Sequence, residues 1–222
     1  NAFLNATRQI SNTWDGHPNT PKLLKILRVI KKEPKPALVY SNWIDNGIVP
    51  LGKMLQETNI SHLEFTGGMS DHKKQAVVTN FNQGKIDVLL LSSSGGEGLD
   101  LKNTRQIHIM EPHWNEAKIS QAIGRGIRYK SHEALPLEQR KVSVYYWIST
   151  PLGTKDMGTD EYLYQISQKK LEEMKLFLET AIKNSVEYSG NKKETMKKLT
   201  NLRKKEKSLK KKIGGCPFCY IY

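Results

Sequence analysis

Apolar residues in this chain recur in two alternating rhythms. Leu23, Leu24, Ile26, Leu27 and Ile30 fall at three- and four-residue steps, the stripe of an amphipathic helix. Thr20 stands where an N-cap belongs, Pro21 suits the first helical position, and Pro34 and Pro36 forbid continuation. A short apolar run at 37–40 then reads as a buried strand. It is followed by a helix near 47–57, a strand at 62–65, and a helix at 71–82 that Ser70 or Asp71 can cap. Strands at 86–91, 107–110 and 142–148 complete a set of five. Strands alternating with helices predict an α/β fold with a mostly parallel sheet and right-handed crossovers. In such sheets ligands bind beyond the carboxyl ends of the strands.

The flanks read differently. Residues 1–20 are polar and irregular, with Asn, Gly and Pro, and suit an incomplete lead-in from a missing preceding domain. The segment 21–150 holds the five strands and forms the domain proper. Within 151–190 a loop leads to a long helix from Thr159, whose Leu163, Ile166, Leu171, Met174, Leu178 and Ile182 should pack back on the sheet. Residues 191–222 form a tail. Its helical stretch, 191–213, has a narrow apolar stripe of Met196, Leu199, Leu202, Leu209 and Ile213 in a field of lysine.

Charge sharpens that division. The chain carries a formal net charge of +13, and 191–213 alone contributes +9, from eleven Lys/Arg against Glu194 and Glu206. Three readings of that run stay open: a solvated helix, a partner-binding coiled segment, or an electrostatic hold on nucleic-acid phosphates. Phosphate neutralisation is blind to sequence, so specificity should lie elsewhere. No apolar run reaches membrane-spanning length and no charged-then-apolar leader opens the chain, so the expectation is a soluble, intracellular protein with no membrane partner.

The chemistry concentrates in Gln121-Ala-Ile-Gly-Arg-Gly-Ile-Arg128. Positions i, i+4 and i+7 share one helical face, so Gln121, Arg125 and Arg128 can aim at one target while Ile123 and Ile127 pack the other way. Two guanidiniums, with Gly124 permitting close approach, suit a polyphosphate whose transferring group gathers negative charge. Upstream, the strand Ile86-Asp-Val-Leu-Leu-Leu runs into Ser92-Ser-Ser-Gly-Gly-Glu-Gly-Leu-Asp100. Small residues and glycines after a buried strand can present hydroxyls and backbone N–H groups to phosphate.

These two segments, with the strand Arg105-Gln-Ile-His-Ile-Met110 and Glu-Pro-His-Trp-Asn115 between them, resemble motifs V and VI of superfamily 2 helicases and translocases. The run from Trp114 through Arg128 to Ser131-His132 and Leu135-Pro-Leu-Glu-Gln-Arg140 is similar to helicases of large DNA viruses. Among these are the poxvirus nucleoside triphosphate phosphohydrolase I and early transcription factor ATPase. The resemblance covers roughly residues 21–188 and implies a RecA-like second motor domain followed by a helical extension. It implies Arg128 as the arginine finger, Arg125 as a second phosphate contact and Gln121 as an orienting group. Gly98, Asp100 and Gly124 would join them around ATP, with Asp100 on the ribose hydroxyls. Ser41 and Asn42 (at the end of a strand resembling motif IV), Ser92, Ser93, Gly95 and Gly96 would face nucleic acid. Glu97 stands where many relatives have arginine, which puts a direct strand contact by that residue in doubt. The implied partners are nucleic acid, DNA rather than RNA, the missing N-terminal motor domain, and transcription machinery. A viral source would imply a virion or host-cytoplasm setting.

What is absent bounds the activity. No GxxxxGK[ST] loop occurs: Gly52-Lys53 runs into Met54 and Gly84-Lys85 into Ile86. The Asp160-Glu161 pair follows Gly-Thr and not an apolar strand, so it lacks the setting of a magnesium-binding carboxylate. ATP with Mg2+ should therefore be held mainly by the missing first domain, and the chain alone should not hydrolyse it. Asn1, in place of an initiator Met, fits a fragment. An alternative class stays open: a non-catalytic nucleic-acid-binding or complex-assembly module that keeps RecA geometry without turnover. Cys216-Pro-Phe-Cys219 is half a zinc site, a pair of inert thiols, or a redox pair, and Zn2+ would need two more ligands. His108, His132 and Trp114 read as packing residues.

Overall fold

The computed structural model describes residues 2–93, 99–151, 153, 156–185, 197, 200–201 and 219–221. The strands are β1 (Ala37–Ser41), β2 (His62–Phe65), β3 (Val88–Ser92), β4 (Gln106–Ile109) and β5 (Lys141–Tyr146), all parallel, in the order β2-β3-β1-β4-β5. The helices are α1 (Ala2–Asn12), α2 (Pro21–Lys32), α3 (Val49–Glu57), α4 (Asp71–Asn82), α5 (Glu116–Gly126) and α6 (Thr159–Lys183). The fold is the α/β parallel sheet with flanking helices expected from the alternation, and the RecA-like sheet that the resemblance implies.

Both faces of the sheet are covered at its centre, which explains why β1 and β3 are near-continuous apolar runs. Leu38 and Tyr40 of β1 join Leu89, Leu91, Ile107 and Ile109 on the face beneath α4 and α5. Ala37 and Val39, pointing the other way, join Val88 and Leu90 beneath α2 and α3. Thr20 caps α2 through its side chain, with Pro21 opening the helix as read from the sequence. A single π turn, Ile44–Ile48, leads into α3. Gly47 is required there, because a Cβ would run into the Ser41 hydroxyl.

Three expectations change. Residues 2–12 form helix α1, where an irregular lead-in was expected. Its inward face carries Arg8 and Asn12, both buried, so no apolar stripe advertised the helix. Helix α6 packs over its first turns, where Leu163 and Ser167 are buried and α1 and α5 lie alongside. Met174 and Leu178, expected on the packed face, are half-exposed, and Leu176 and Phe177 are more exposed still. The sheet also does not end at β5: β6 (Cys219–Ile221) pairs antiparallel with it, Ser143 opposite Cys219. The lysine-rich stretch otherwise lies outside the described residues, except for 197, 200 and 201, which are helical.

His108 shows why a buried histidine here is architecture. Its ring stacks on Tyr145 and Trp147 at 5.0 and 5.9 Å between centroids. Trp147 Nε1 donates to Nδ1, so the proton sits on Nε2 and is given to Gln106 Oε1. Burial pushes its pKa down to about 3. The unfolded chain takes up this proton near pH 6.5 and the folded one does not until about 3, so the stabilisation present above 6.5 is lost as pH falls through that window. Unfolding free energies from urea titrations across pH 7 to 5 should fall more steeply for the natural chain than for His108→Gln, by up to about 1.4 kcal/mol per pH unit. Equal slopes would show that another group carries the proton.

Candidate functional site

The site forms at the carboxyl ends of β1, β3 and β4. Asn115 caps α5 by accepting from Ala117 N at 3.0 Å, and the helix lies against the sheet through the buried Ile119 and Ala122. The flank beside that buried side presents Lys118, Gln121 and Arg125 at helical spacing. Together with Tyr40, Leu91, Ser93 and Ala122 they line a cleft of about 100 Å³. Ser93 N donates to Ser41 O at 3.2 Å, knitting the ends of β1 and β3 together at the cleft's edge.

Arg128 does not belong to that helical face. The helix ends at Gly126, and Ile127 has left helical geometry (φ −133°, ψ 81°). A Cβ at Gly126 would stand 3.0 Å from Ile107 Cδ1 and 3.2 Å from Thr104 Cγ2, so this is the glycine that close packing requires. At Gly124 a Cβ would meet nothing within 4 Å. The chain then turns: Ser131 N donates to Arg128 O at 3.1 Å, and Arg128 N to Ser131 Oγ at 3.1 Å. His132 anchors the turn, its Nε2 2.6 Å from Thr104 O and its Nδ1 2.8 Å from Ser131 Oγ. Thr104 O can only accept, so Nε2 carries the proton.

Arg128 is placed beside Asp100, Nη1 to Oδ1 at 3.9 Å, with the two side chains 43% and 57% exposed. The Asp100 segment is held independently of that pair. Leu101 N donates to Arg125 O at 3.2 Å, while Asn82 clasps the segment through Lys102 N and Asp100 O. The cleft and the Asp100–Arg128 pair are thereby tied to one helix end. Gly95, Gly96 and Gly98 lie outside the described residues.

The two residues resembling motif IV have different fates. Ser41 is fully buried, its hydroxyl facing Glu111 Oε1 and Oε2 at 3.1 and 3.2 Å. Ser92 is also buried. Asn42 keeps part of its surface, donates from Nδ2 to Glu111 Oε1 at 3.1 Å and accepts from the Tyr40 hydroxyl at 3.3 Å. Burial first, and then the Glu111 charge, pushes the Tyr40 hydroxyl up to about 12, so it stays a donor. Sequence reasoning passed over Lys118, Tyr40 and Glu111. Helical spacing from Gln121 and Arg125 could have found Lys118; nothing local marks Glu111.

The remaining candidates do not converge on the cleft. Asp160 and Glu161 are structural: Asp160 pairs with Lys22 at 2.8 Å, and Glu161 reaches back to Gly158 N at 2.8 Å. Trp114 packs near Arg8, whose guanidinium carbon lies 5.4 Å from the ring centroids of both Trp43 and Trp114. Cys216 lies outside the described residues, among which no cluster of three His, Cys, Asp or Glu could hold a metal. No helix among them is long and apolar enough to cross a membrane.

A RecA-like parallel sheet flanked by helices is the architecture of the second motor domain of superfamily 2 helicases. Residues 20–130 match the helicase conserved C-terminal domain, and the chain belongs to that family. It is 46% identical over 188 residues to an Acanthamoeba polyphaga mimivirus protein provisionally named an ATP-dependent RNA helicase (L538), covering 84% of this chain and 42% of that protein. It is 27% identical over 227 residues to a termination factor NPH-I homolog of African swine fever virus, covering 74% of this chain and 32% of that protein. The chain thus spans less than half the length of these relatives. Among solved structures, the C-terminal part of the Fun30 ATPase domain aligns with a TM-score of 0.53 and 23% identity, over 67% of this chain and 45% of that one. The yeast DEAD-box splicing factor Prp28 aligns at 0.50 and 17%, over 67% and 30%. These two show the fold.

Proposed function

We propose that the chain is the second motor domain of an ATP-driven nucleic-acid helicase or translocase. It completes a nucleotide site whose phosphate loop and magnesium carboxylate belong to a first domain. The observation that carries this reading is the cleft of Lys118, Gln121 and Arg125 beside the Asp100–Arg128 pair. At about 100 Å³ it is far below the roughly 300–1,000 Å³ of a pocket that closes around a ligand, so a nucleotide there needs a second wall. Arg125 and Arg128 answer the charge that gathers on the γ-phosphoryl group, Gln121 orients phosphate or attacking water, and Asp100 accepts from the ribose hydroxyls. Asn42, Ser93 and the glycines Gly95 and Gly96 meet the nucleic-acid backbone. The relatives' names, one an RNA helicase and one a termination factor, fit a nucleic-acid track and a place beside transcription machinery. We take the track to be DNA.

On this reading the chain by itself releases no phosphate from ATP, with or without poly(dT) or poly(U). Two arginines cannot supply the missing phosphate loop and metal carboxylate. Turnover that stays with the chain through purification to homogeneity would overturn the two-domain assignment.

A further inference from the structure

A chain of buried polar groups runs under the rim of the site from α6 to the cleft. Asp160 Oδ2 pairs with Lys22 Nζ at 2.8 Å, and Lys22 Nζ also donates to Asn12 Oδ1 at 3.0 Å. Asn12 Nδ2 donates to Glu111 Oε2 at 2.8 Å. Glu111 Oε1 accepts from the Asn42 backbone N–H and from Asn42 Nδ2, and Asn42 Oδ1 accepts from the Tyr40 hydroxyl at 3.3 Å. Asp160, Lys22, Asn12 and Glu111 are all buried.

The direction of this chain is set by chemistry. An ammonium only donates and a carboxylate only accepts, so Asn12 must turn its oxygen to Lys22 and its NH2 to Glu111. Asn42 is fixed the same way, NH2 to Glu111 and oxygen to Tyr40. A flipped Asn12 would set donor against donor at Lys22, and a flipped Asn42 would set oxygen against oxygen at Glu111. A fully buried carboxylate is costly unless every lone pair is used, and among the described residues the hydrogen bonds to Glu111 come from Asn12, Ser41 and Asn42. The network surfaces at Asn42, and through Tyr40 it touches the cleft that Gln121 and Arg125 line. Its outer supports, α1 and α6, lie outside the residues 20–130 that match the helicase domain.

We propose that Glu111 is a positioning residue for nucleic-acid engagement: its carboxylate holds the backbone N–H and side chain of Asn42 in the orientation that meets the nucleic-acid backbone, with α1 and α6 as its struts. The inference rests on Asn42 being a nucleic-acid contact, and the experiment separates the two. In the intact motor, ATPase is titrated with poly(dT) for the natural protein, Glu111→Gln, Asn12→Ala and Asn42→Ala, and thermal unfolding of each is recorded. Glu111→Gln keeps the shape but sets an NH2 against groups that donate. Its KM for poly(dT) rises about tenfold, the factor of one charge-assisted hydrogen bond, while kcat and turnover without nucleic acid stay within about twofold. Asn12→Ala, which touches neither Asn42 nor the cleft, moves KM the same way and decides the matter should Glu111→Gln not fold.

A merely structural role gives the reverse pattern: a lower unfolding temperature, a kcat reduced with the folded fraction, and an unmoved KM. With KM still raised in Asn42→Ala, that result overturns the role of Glu111 alone. An unmoved KM in Asn42→Ala removes the contact itself, and the inference with it.

Discussion

Arg128→Ala in the intact motor should lower kcat by about 10³–10⁵, the range for losing an arginine finger. KM for ATP should change far less, because this residue answers charge that develops only in the transition state. The structure adds a reason to expect an unhindered finger. Its partner Asp100 is 3.9 Å away and both side chains are well exposed, so the pair is worth at most about 1 kcal/mol and Arg128 can leave it for phosphate. The turn that carries it is, by contrast, anchored through His132 and Ser131, so the backbone need not reorganise. Arg128→Lys should rescue poorly, since one ammonium cannot reproduce a planar fork. Steady-state kinetics with the natural protein as reference decide it. Turnover within tenfold of normal in either variant would remove the assignment.

The position of that arginine also shows where sequence reasoning reaches and where it stops. Strand positions were legible because both faces of the sheet are buried, so β1 and β3 appear as continuous apolar runs bounded by turns. Order and spacing placed Gln121, Arg125 and Asp100 near one another. Periodicity alone carried Arg128 onto the helical face, because nothing in a 3.6-residue count registers that Gly126 packs against Ile107 and Thr104 and the helix stops there. Ser41 and Asn42 read alike as strand-end polar residues. Their separation depends on Glu111, seventy residues away in the chain from Ser41. Helix α1 escaped for a related reason: its buried side is polar, and partners at Pro112 O and Glu111 that lie far off in sequence make that burial tolerable. Local pattern reports apolar burial, whereas polar burial is legible only once the fold has brought the partners together.

That distinction sets the second large effect, on stability. Lys22 Nζ is held by Asp160 Oδ2 at 2.8 Å, Asn12 Oδ1 at 3.0 Å and Met110 O at 3.1 Å, with the two charged side chains 6% and 0% exposed. Lys22→Met removes the ammonium and leaves the Asp160 carboxylate in the interior with, among the described residues, hydrogen bonds from Ser11 Oγ and Ser149 N alone, each at 3.0 Å. Breaking a buried pair from one side costs about 3–5 kcal/mol, because an uncompensated charge stays behind. Against a typical domain stability of about 5–15 kcal/mol, that brings the protein close to its unfolding threshold. The urea midpoint should fall accordingly. The double change Lys22→Met with Asp160→Leu should recover most of the loss, since removing both charges also removes the desolvation penalty, and an apolar pair can be as stable as an ionic one. Recovery will be incomplete, because Asn12 Oδ1 and Met110 O lose Lys22 in both variants and Ser149 N loses Asp160 in the double one. If Lys22→Met shifts the free energy of unfolding by less than about 1 kcal/mol, the pair is behaving as a solvated surface contact. The struts α1 and α6 would then be held by something other than this charge.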